Sequence, residues 1–470
     1  MRSMMVAAIA ACAGGSMAAF LALSVQGCSS SDAAPPPSDA GDAGVVDAAN
    51  EAADDAAPSI DQPPNVYPAQ HQPIPQMKNV GGPVLASMQI VTVTFAGDPK
   101  RDSIRAYTDF IVKSGWWDTV MTGFGVGKGS SGGHAELPAA FGVDAGVSVT
   151  ISDDDVRALL QAKITSGELP RPIKGVTAYA LYFPKNVTIQ KGSETSCQSF
   201  GGYHWNFAAN VPASSGDAGA DGGGPAGTFD VPYAIMPRCA AYPVDDAVSN
   251  YNQLTLTASH ELAEMASDPF IGPSTGFVLD TDDSWLPSFY PPGSVIENGD
   301  ACSNIYDSNA ESYDESGYKV QRIWDNAAAA ASENPCQPVK AGRIYFAAAV
   351  KTDVGSFNGH KTSGYVVVPA GGSTDVVLNV FSTAALPHDV LLYVGKDKFG
   401  ANDPSDMDKL GNNLTIKLSR QQVNNGAGVI MTVSAGTASR TGQGGDQRIV
   451  VRAVLEKDDY NDWPFIVRVK

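Results

Sequence analysis

Residues 257–269 read TASHELAEMASDP, and how this stretch is built decides what the chain around it has to be. Pro269 cannot continue a helix, so the segment is expected to be helical from near Asn250 and to stop by Asp268. Residues four apart on a helix lie one above the other on the same face. His260 and Glu264 therefore offer an imidazole and a carboxylate to one point, with Glu261 beside them. Asp268 follows one turn further along the face of Glu264 and can orient a ligand from behind.

Outward from this helix, strand and helix signals interleave. VLASMQIVTVTF (84–95) and VTAYALYFP (176–184) are apolar and β-branched, VSVTI (147–151) is a short strand, and FDVPYAIMPRC (229–239) is β-like. Ile104, Tyr107, Phe110 and Ile111 recur at helical spacing. Ser152 followed by Asp153, Asp154 and Asp155 starts another helix, whose buried face is Val156, Leu159, Leu160 and Ile164. Trp116 and Trp117 are expected in the core or a cleft wall. After Cys336 the pattern changes to short β-like runs separated by turn residues, among them GYVVVPA, DVVLNVF, VLLYVG, GVIMTVSA and RIVVRAVL. The expected class is α+β: a mixed α/β domain over residues 79–338, broken by a low-complexity insertion loop at 213–228, then an all-β sandwich over 342–470.

The N-terminus looks like an export signal. Arg2 precedes an uncharged stretch over residues 4–25, and LSVQGC (23–28) resembles a bacterial lipobox. That class is cut before the cysteine, which implies a signal peptide over 1–27, a lipid on Cys28 as the sole membrane attachment, and, with Ser29 after it, an outer-membrane or cell-surface location. Residues 28–78 are rich in Ala, Asp and Pro and are expected to form a disordered tether. Acid without base between Asp32 and Asp55 contributes to the net charge of -19. That charge excludes a basic nucleic-acid footprint, and 43% hydrophobic residues are too few for a multi-span membrane protein. With Cys12 in the signal and Cys28 lipidated, four cysteines remain. Neighbour pairing, Cys197–Cys239 and Cys302–Cys336, is favoured over a four-thiolate zinc site, because no close C-x-x-C pair exists.

His260-Glu261-x-x-Glu264 has the spacing of the H-E-x-x-H metalloprotease helix with a carboxylate in place of the second imidazole, and Zn2+ accepts either. A catalytic ion needs a third protein ligand. Candidates are His204 in GGYHWNF and Glu297 or Asp300 in VIENGDAC. Glu261 is the general base toward water that the Lewis acid activates. Other patterns fall short. GFGVGKGSSGG (123–133) lacks the first Gly and the final Ser or Thr of a P-loop and reads as a loop. DTDD (280–283) and NDPSDMD (402–408) lack the EF-hand spacing, and no Gly-x-Ser-x-Gly occurs.

The motifs SCQSFGGYHWNF, YAIMPRCAAYP, SHELAEMASDP, ENGDAC and YKVQRIWDN occur in this order over roughly residues 80–338. This order resembles the phosphate-induced (Exordium-like) extracellular proteins and related bacterial secreted proteins with a zincin-like His-Glu-x-x-Glu helix. The resemblance implies a secreted, zincin-like mixed α/β domain with His260, Glu261, Glu264 and either Glu297 or Asp300 at the matching positions. Where bacterial relatives carry Glu-Ile-Gly-Asp and Trp-Ser-Asn, this chain has Glu297-Asn298-Gly299-Asp300 and Trp324-Asp325-Asn326. The function expected is that of a lipid-anchored zinc peptidase acting on protein or peptide. The alternatives are a non-catalytic surface or wall-associated binding protein, the family including plant cell-wall proteins, or a structural metal.

Overall fold

The computed structural model describes residues 61–138, 148–213, 226–240, 246–272, 274–279, 296–303, 312–357, 360–396 and 403–470. The signal, Cys28 and most of the tether lie outside these residues, as do the DTDD stretch and nearly all of the insertion loop. The described chain is α+β and rich in strand.

Five strands form the central sheet of the first region, in the order Ser130–Leu137, Gln89–Phe95, Thr177–Tyr182, Gly227–Met236, Tyr203–Val211. The first four run parallel, and the last is antiparallel to its neighbour. Alternation along the strands divides their side chains between two cores. Val91, Val93, Phe95, Tyr179 and Leu181 pack with Val156, Leu160 and Ile164 of helix α3 (Asp153–Ser166). Ile90, Ala178, Ala180 and Tyr182 face the opposite core, with helices α1 (Arg101–Ile111), α2 (Gly115–Met121) and α4 (Ala247–Ser267).

Local chemistry sets the helix ends. Ser152 caps α3 and exchanges hydrogen bonds with Asp155, as its sequence suggested. Helix α4 begins three residues before the expected Asn250, because the Asp246 carboxylate accepts from the Val248 and Ser249 N–H groups. It stops at Ser267, before Pro269.

Two sheets build the C-terminal region. The four-stranded one runs Phe346–Val350, Ser373–Ser382, Gly428–Ala435, Leu414–Leu418. The six-stranded one runs Asp353–Phe357, His360–Val368, Asp459–Val469, Gln447–Glu456, Val390–Gly395, Gln422–Val423. Between them Phe381 meets Trp463 edge-on at 6.3 Å between centroids. The arrangement is sandwich-like, with one departure from the expected antiparallel pattern: His360–Val368 pairs with Asp459–Val469 in parallel. One apolar core runs through both regions, joining Trp324 and Cys336 to Phe346 and Phe381.

Two further expectations need correction. The disordered tether was placed through residue 78, yet residues 61–77 lie on the folded body. Ala69, Ile74 and Met77 are buried, the His71 ring stacks on Phe381 at 3.5 Å, and the Asn425 amide donates to the carbonyls of Pro64 and Val66. Lys78–Asn79 then pairs with Phe277–Val278. The glycine-rich 123–133 segment was read as a loop throughout, but from Ser130 it is the edge strand of the central sheet. Gly129 and Gly132 fit there because a Cβ would stand 2.8 Å from Val112 and 2.9 Å from Val91. Trp116 and Trp117 are core residues. Both disulfides form as the neighbour pairing required, Cys197–Cys239 and Cys302–Cys336.

Candidate metal centre

Three segments converge on one face of α4. The antiparallel strand Tyr203–Val211 turns Tyr203, Phe207 and Ala209 toward α3, so alternation turns His204 the other way, toward α4. Glu297 directly precedes the short helix α5 (Asn298–Ser303), which brings Asp300 to α4. Gln321 follows the hairpin strand Tyr318–Val320. Two glycines permit the close approach. A Cβ on Gly202 would stand 2.8 Å from Glu261 Oε1, and one on Gly299 would stand 2.7 Å from both Glu264 Oε1 and His260 Nδ1.

His260 and Glu264 do share a face: Nε2 lies 3.1 Å from Oε2. Asp300 Oδ1 stands 3.9 Å from the same nitrogen, and its backbone N–H donates to Glu264 Oε1 at 3.0 Å. On the other side of Glu264, His204 Nδ1 lies 3.6 Å from Glu264 Oε2 and 3.7 Å from Glu261 Oε2. Glu297 Oε1 is 3.2 Å from His204 Nε2. All six residues singled out from sequence are therefore brought together. Five of them form two trios that share Glu264, His260–Glu264–Asp300 and His204–Glu261–Glu264, with the ligand atoms of each trio within 4.8 Å of one another, and Glu297 stands beside His204. Asp268 stays behind them, its Oδ1 accepting from Gly276 N–H and its Oδ2 without a hydrogen bond among the described residues.

Gln321 was not singled out, and it settles how His260 is presented. Its Nε2 donates to the Gly299 carbonyl at 2.6 Å, so its Oε1 faces His260 Nδ1 at 3.0 Å. A carbonyl oxygen only accepts, so Nδ1 carries the proton and Nε2 is left to face Glu264 and Asp300. The same logic fixes His204. Its Nε2 lies 3.1 Å from the Asp268 carbonyl and donates to it, which leaves Nδ1 toward Glu261 and Glu264. A buried ring nitrogen tied to a carbonyl, with the other aimed at carboxylates, is how metal-binding histidines are held.

The cluster holds five carboxylates, Glu261, Glu264, Asp268, Glu297 and Asp300, and two imidazoles. Burial is the main force raising Glu264 to about 8, with His260 opposing it and Glu297 and Asp300 adding to it. Burial likewise lifts Asp268 to about 7 and Asp300 to about 6. Burial works against charge on the imidazoles, but neighbouring carboxylates overcome it. His204 is held well above its ordinary range by Glu297, Glu261 and Glu264, and His260 by Glu264, Glu261 and Asp300. No Lys or Arg stands among the dominant causes. The site is short of positive charge and makes it up with protons, which a divalent cation can replace.

Asp325 does not join this cluster. It caps the helix Asn326–Ala330, accepting from Ala328 N–H at 2.6 Å.

No protein-family profile matches the chain, and no curated protein matches it. Among solved structures, the S-layer protein SbsC domains 4 and 5 match at 12% identity and a TM-score of 0.17, over 27% of this chain and 46% of that one. SbsC domains 1–6 match at 15% and 0.17, over 28% and 14%. A chimeric titin Z1Z2 functionalized with a KLER exogenous peptide from decorin matches at 11% and 0.16, over 27% and 97%. This chain thus spans about half or less of the SbsC structures. Likenesses this slight carry no argument about function.

Proposed function

We propose that the chain is a metal-dependent hydrolase, a zinc peptidase of zincin-like type, exported and held at the outer membrane or cell surface by a lipid on Cys28. His260, Glu264 and Asp300 would hold the ion, and Glu261 would accept the proton. The observation that carries this reading is the pose of His260: a ring fixed through Nδ1 by Gln321, with Nε2 left beside Glu264 and Asp300. This trio is also the more accessible one, the His260 and Asp300 side chains being 17% and 24% exposed against 3% for His204. Zn2+ held there supplies Lewis acidity toward water and a scissile carbonyl.

The residues divide the remaining work. Gln321 keeps the proton of His260 on Nδ1. The Asp300 N–H fixes one oxygen of Glu264, leaving Oε2 toward His260. Glu261 Oε2 stands 3.7 Å from His204 Nδ1 and beside the outer trio, which places it to take a proton from an attacking water. Disulfides suit an oxidising compartment, and no described helix is long and apolar enough to cross a membrane.

The test is zinc content and casein or peptide cleavage in wild type and Glu261→Gln. Zinc retained with cleavage abolished supports the enzyme. A wild type that neither binds zinc nor cleaves leaves a non-catalytic surface module. The burial of Glu261 and Glu264 favours one other reading, a structural ion. In that case chelation lowers the melting temperature, and neither form cleaves.

A further inference from the structure

We infer that His204, Glu261 and Glu264 form an inner site for a second divalent cation, with Glu264 shared between it and the outer trio. The inference rests on the outer trio holding an ion as proposed above, and it adds a site on the sheet side of α4.

Spacing is the first argument. Hydrogen bonds from nitrogen to oxygen run about 2.7–3.2 Å. His204 Nδ1 stands off from Glu264 Oε2 by 3.6 Å and from Glu261 Oε2 by 3.7 Å. Two ligands of one tetrahedral ion with bonds of about 2.0–2.2 Å lie roughly 3.3–3.6 Å apart. His204 Nδ1 is thus held off from the two carboxylates by nearly the distance that co-ligands keep.

The second argument is the direction of the His204 ring. Nε2 is committed to the Asp268 carbonyl, so Nδ1 is the nitrogen available to a ligand, and it points at both carboxylates. Third, the Glu261 carboxylate is 4% exposed, and the group that faces it is His204 Nδ1 at 3.7 Å. A buried carboxylate in that condition is costly unless a cation or proton meets it. Gly202 closes the backbone over it with no room for a side chain, a Cβ there standing 2.6 Å from Thr257 Cγ2.

His204 and His260 belong to different trios, so the two rings do not converge on one ion. Glu264 Oε2 lies between the two rings, 3.1 Å from His260 Nε2 and 3.6 Å from His204 Nδ1, and that is the position of a bridging carboxylate. With the inner site filled, Glu261 serves as a ligand. With only the outer ion bound, it stays free as proton acceptor.

The experiment is equilibrium dialysis of the full chain against Zn2+ followed by metal analysis, with far-UV circular dichroism to show that each variant is folded. The wild type should hold about two equivalents, and His204→Gln, Glu261→Gln and His260→Ala about one each. Glu261→Gln keeps the volume and serves if His204→Gln does not fold. X-ray absorption of the doubly loaded protein should show a metal–metal distance of about 3.5–4 Å. A wild type that holds a single equivalent overturns the pair. If that equivalent depends on His260 and survives His204→Gln, the hydrolase reading stands without the inner site. If it depends on His204 and survives His260→Ala, or if no zinc binds, the hydrolase reading falls too.

Discussion

Buried acids of the C-terminal sheets and those clustered around α4 are treated in opposite ways. In the C-terminal sheets they meet guanidinium groups. Asp462 takes two hydrogen bonds of 2.7 Å from Arg452, and Asp446 takes bonds of 2.9 and 2.7 Å from Arg468. Around α4, Glu261, Glu264 and Asp268 are as deeply buried, and the positive groups beside them are two imidazoles. A guanidinium stays charged at any ordinary pH and forms a fixed fork for a carboxylate. Imidazoles gain and lose charge near neutrality and are good metal ligands. The C-terminal pairs have their countercharge built in, as Asp98 has from Arg238, and the α4 cluster is arranged to take it from solution.

Breaking a built-in pair should have the largest effect. Asp462→Ala removes the carboxylate that takes both 2.7 Å bonds from the buried Arg452 and should cost about 3–5 kcal/mol in urea unfolding, with or without zinc. A loss under 1 kcal/mol, or one that zinc restores, would erase the contrast. Gly299→Ala comes next. The added methyl meets Glu264 and His260 at 2.7 Å, and overpacking of this kind costs about 1–3 kcal/mol. It should also weaken zinc binding, and unchanged affinity by calorimetry would show that α5 can shift without disturbing the ligands.

Gln321→Ala should leave the fold in place and weaken zinc binding about 10–100-fold, because His260 loses the group that orients it. An unaltered affinity would mean that the ring is held by packing alone. A further effect is expected on pH. Glu264, Asp268 and Asp300 are pushed up to about 8, 7 and 6, and both imidazoles are raised as well. A pKa higher in the folded chain than in the unfolded one contributes stability that is complete below the unfolded value and lost as pH rises through the folded one. Metal-free protein should therefore melt lower at about pH 8 than at about pH 5, with zinc raising the melting temperature more at the higher pH. The reverse slope would contradict the charge deficit.

The site was more legible in sequence than the fold around it. His260, Glu261 and Glu264 declare themselves by helical spacing. His204, Glu297 and Asp300 were visible as candidate ligands, but their relation to α4 is tertiary and has no local signature. Gln321 was missed because a Gln among the β-like residues of YKVQRIW looks like any exposed strand position, and only the carbonyl of Gly299 and the ring of His260 give it a task. The β-like runs quoted from the C-terminal region are strands, yet Phe346–Val350 went unread because alanine is sparse in strands, and here it is the tight core that favours small side chains. Residues 61–77 look like a spacer by composition, and three buried apolar side chains with the Asn425 clamp are enough to seat them. Pairing direction is set by topology, so the parallel contact of His360–Val368 could not be read from alternation.

The most direct measurement is the melting temperature of metal-free protein before and after addition of Zn2+ at neutral pH, in wild type and in Glu264→Gln. A cation seated at α4 raises it in the wild type and leaves Glu264→Gln unmoved. No rise in the wild type, or an equal rise in both, would show that the acids of α4 are not waiting for a metal.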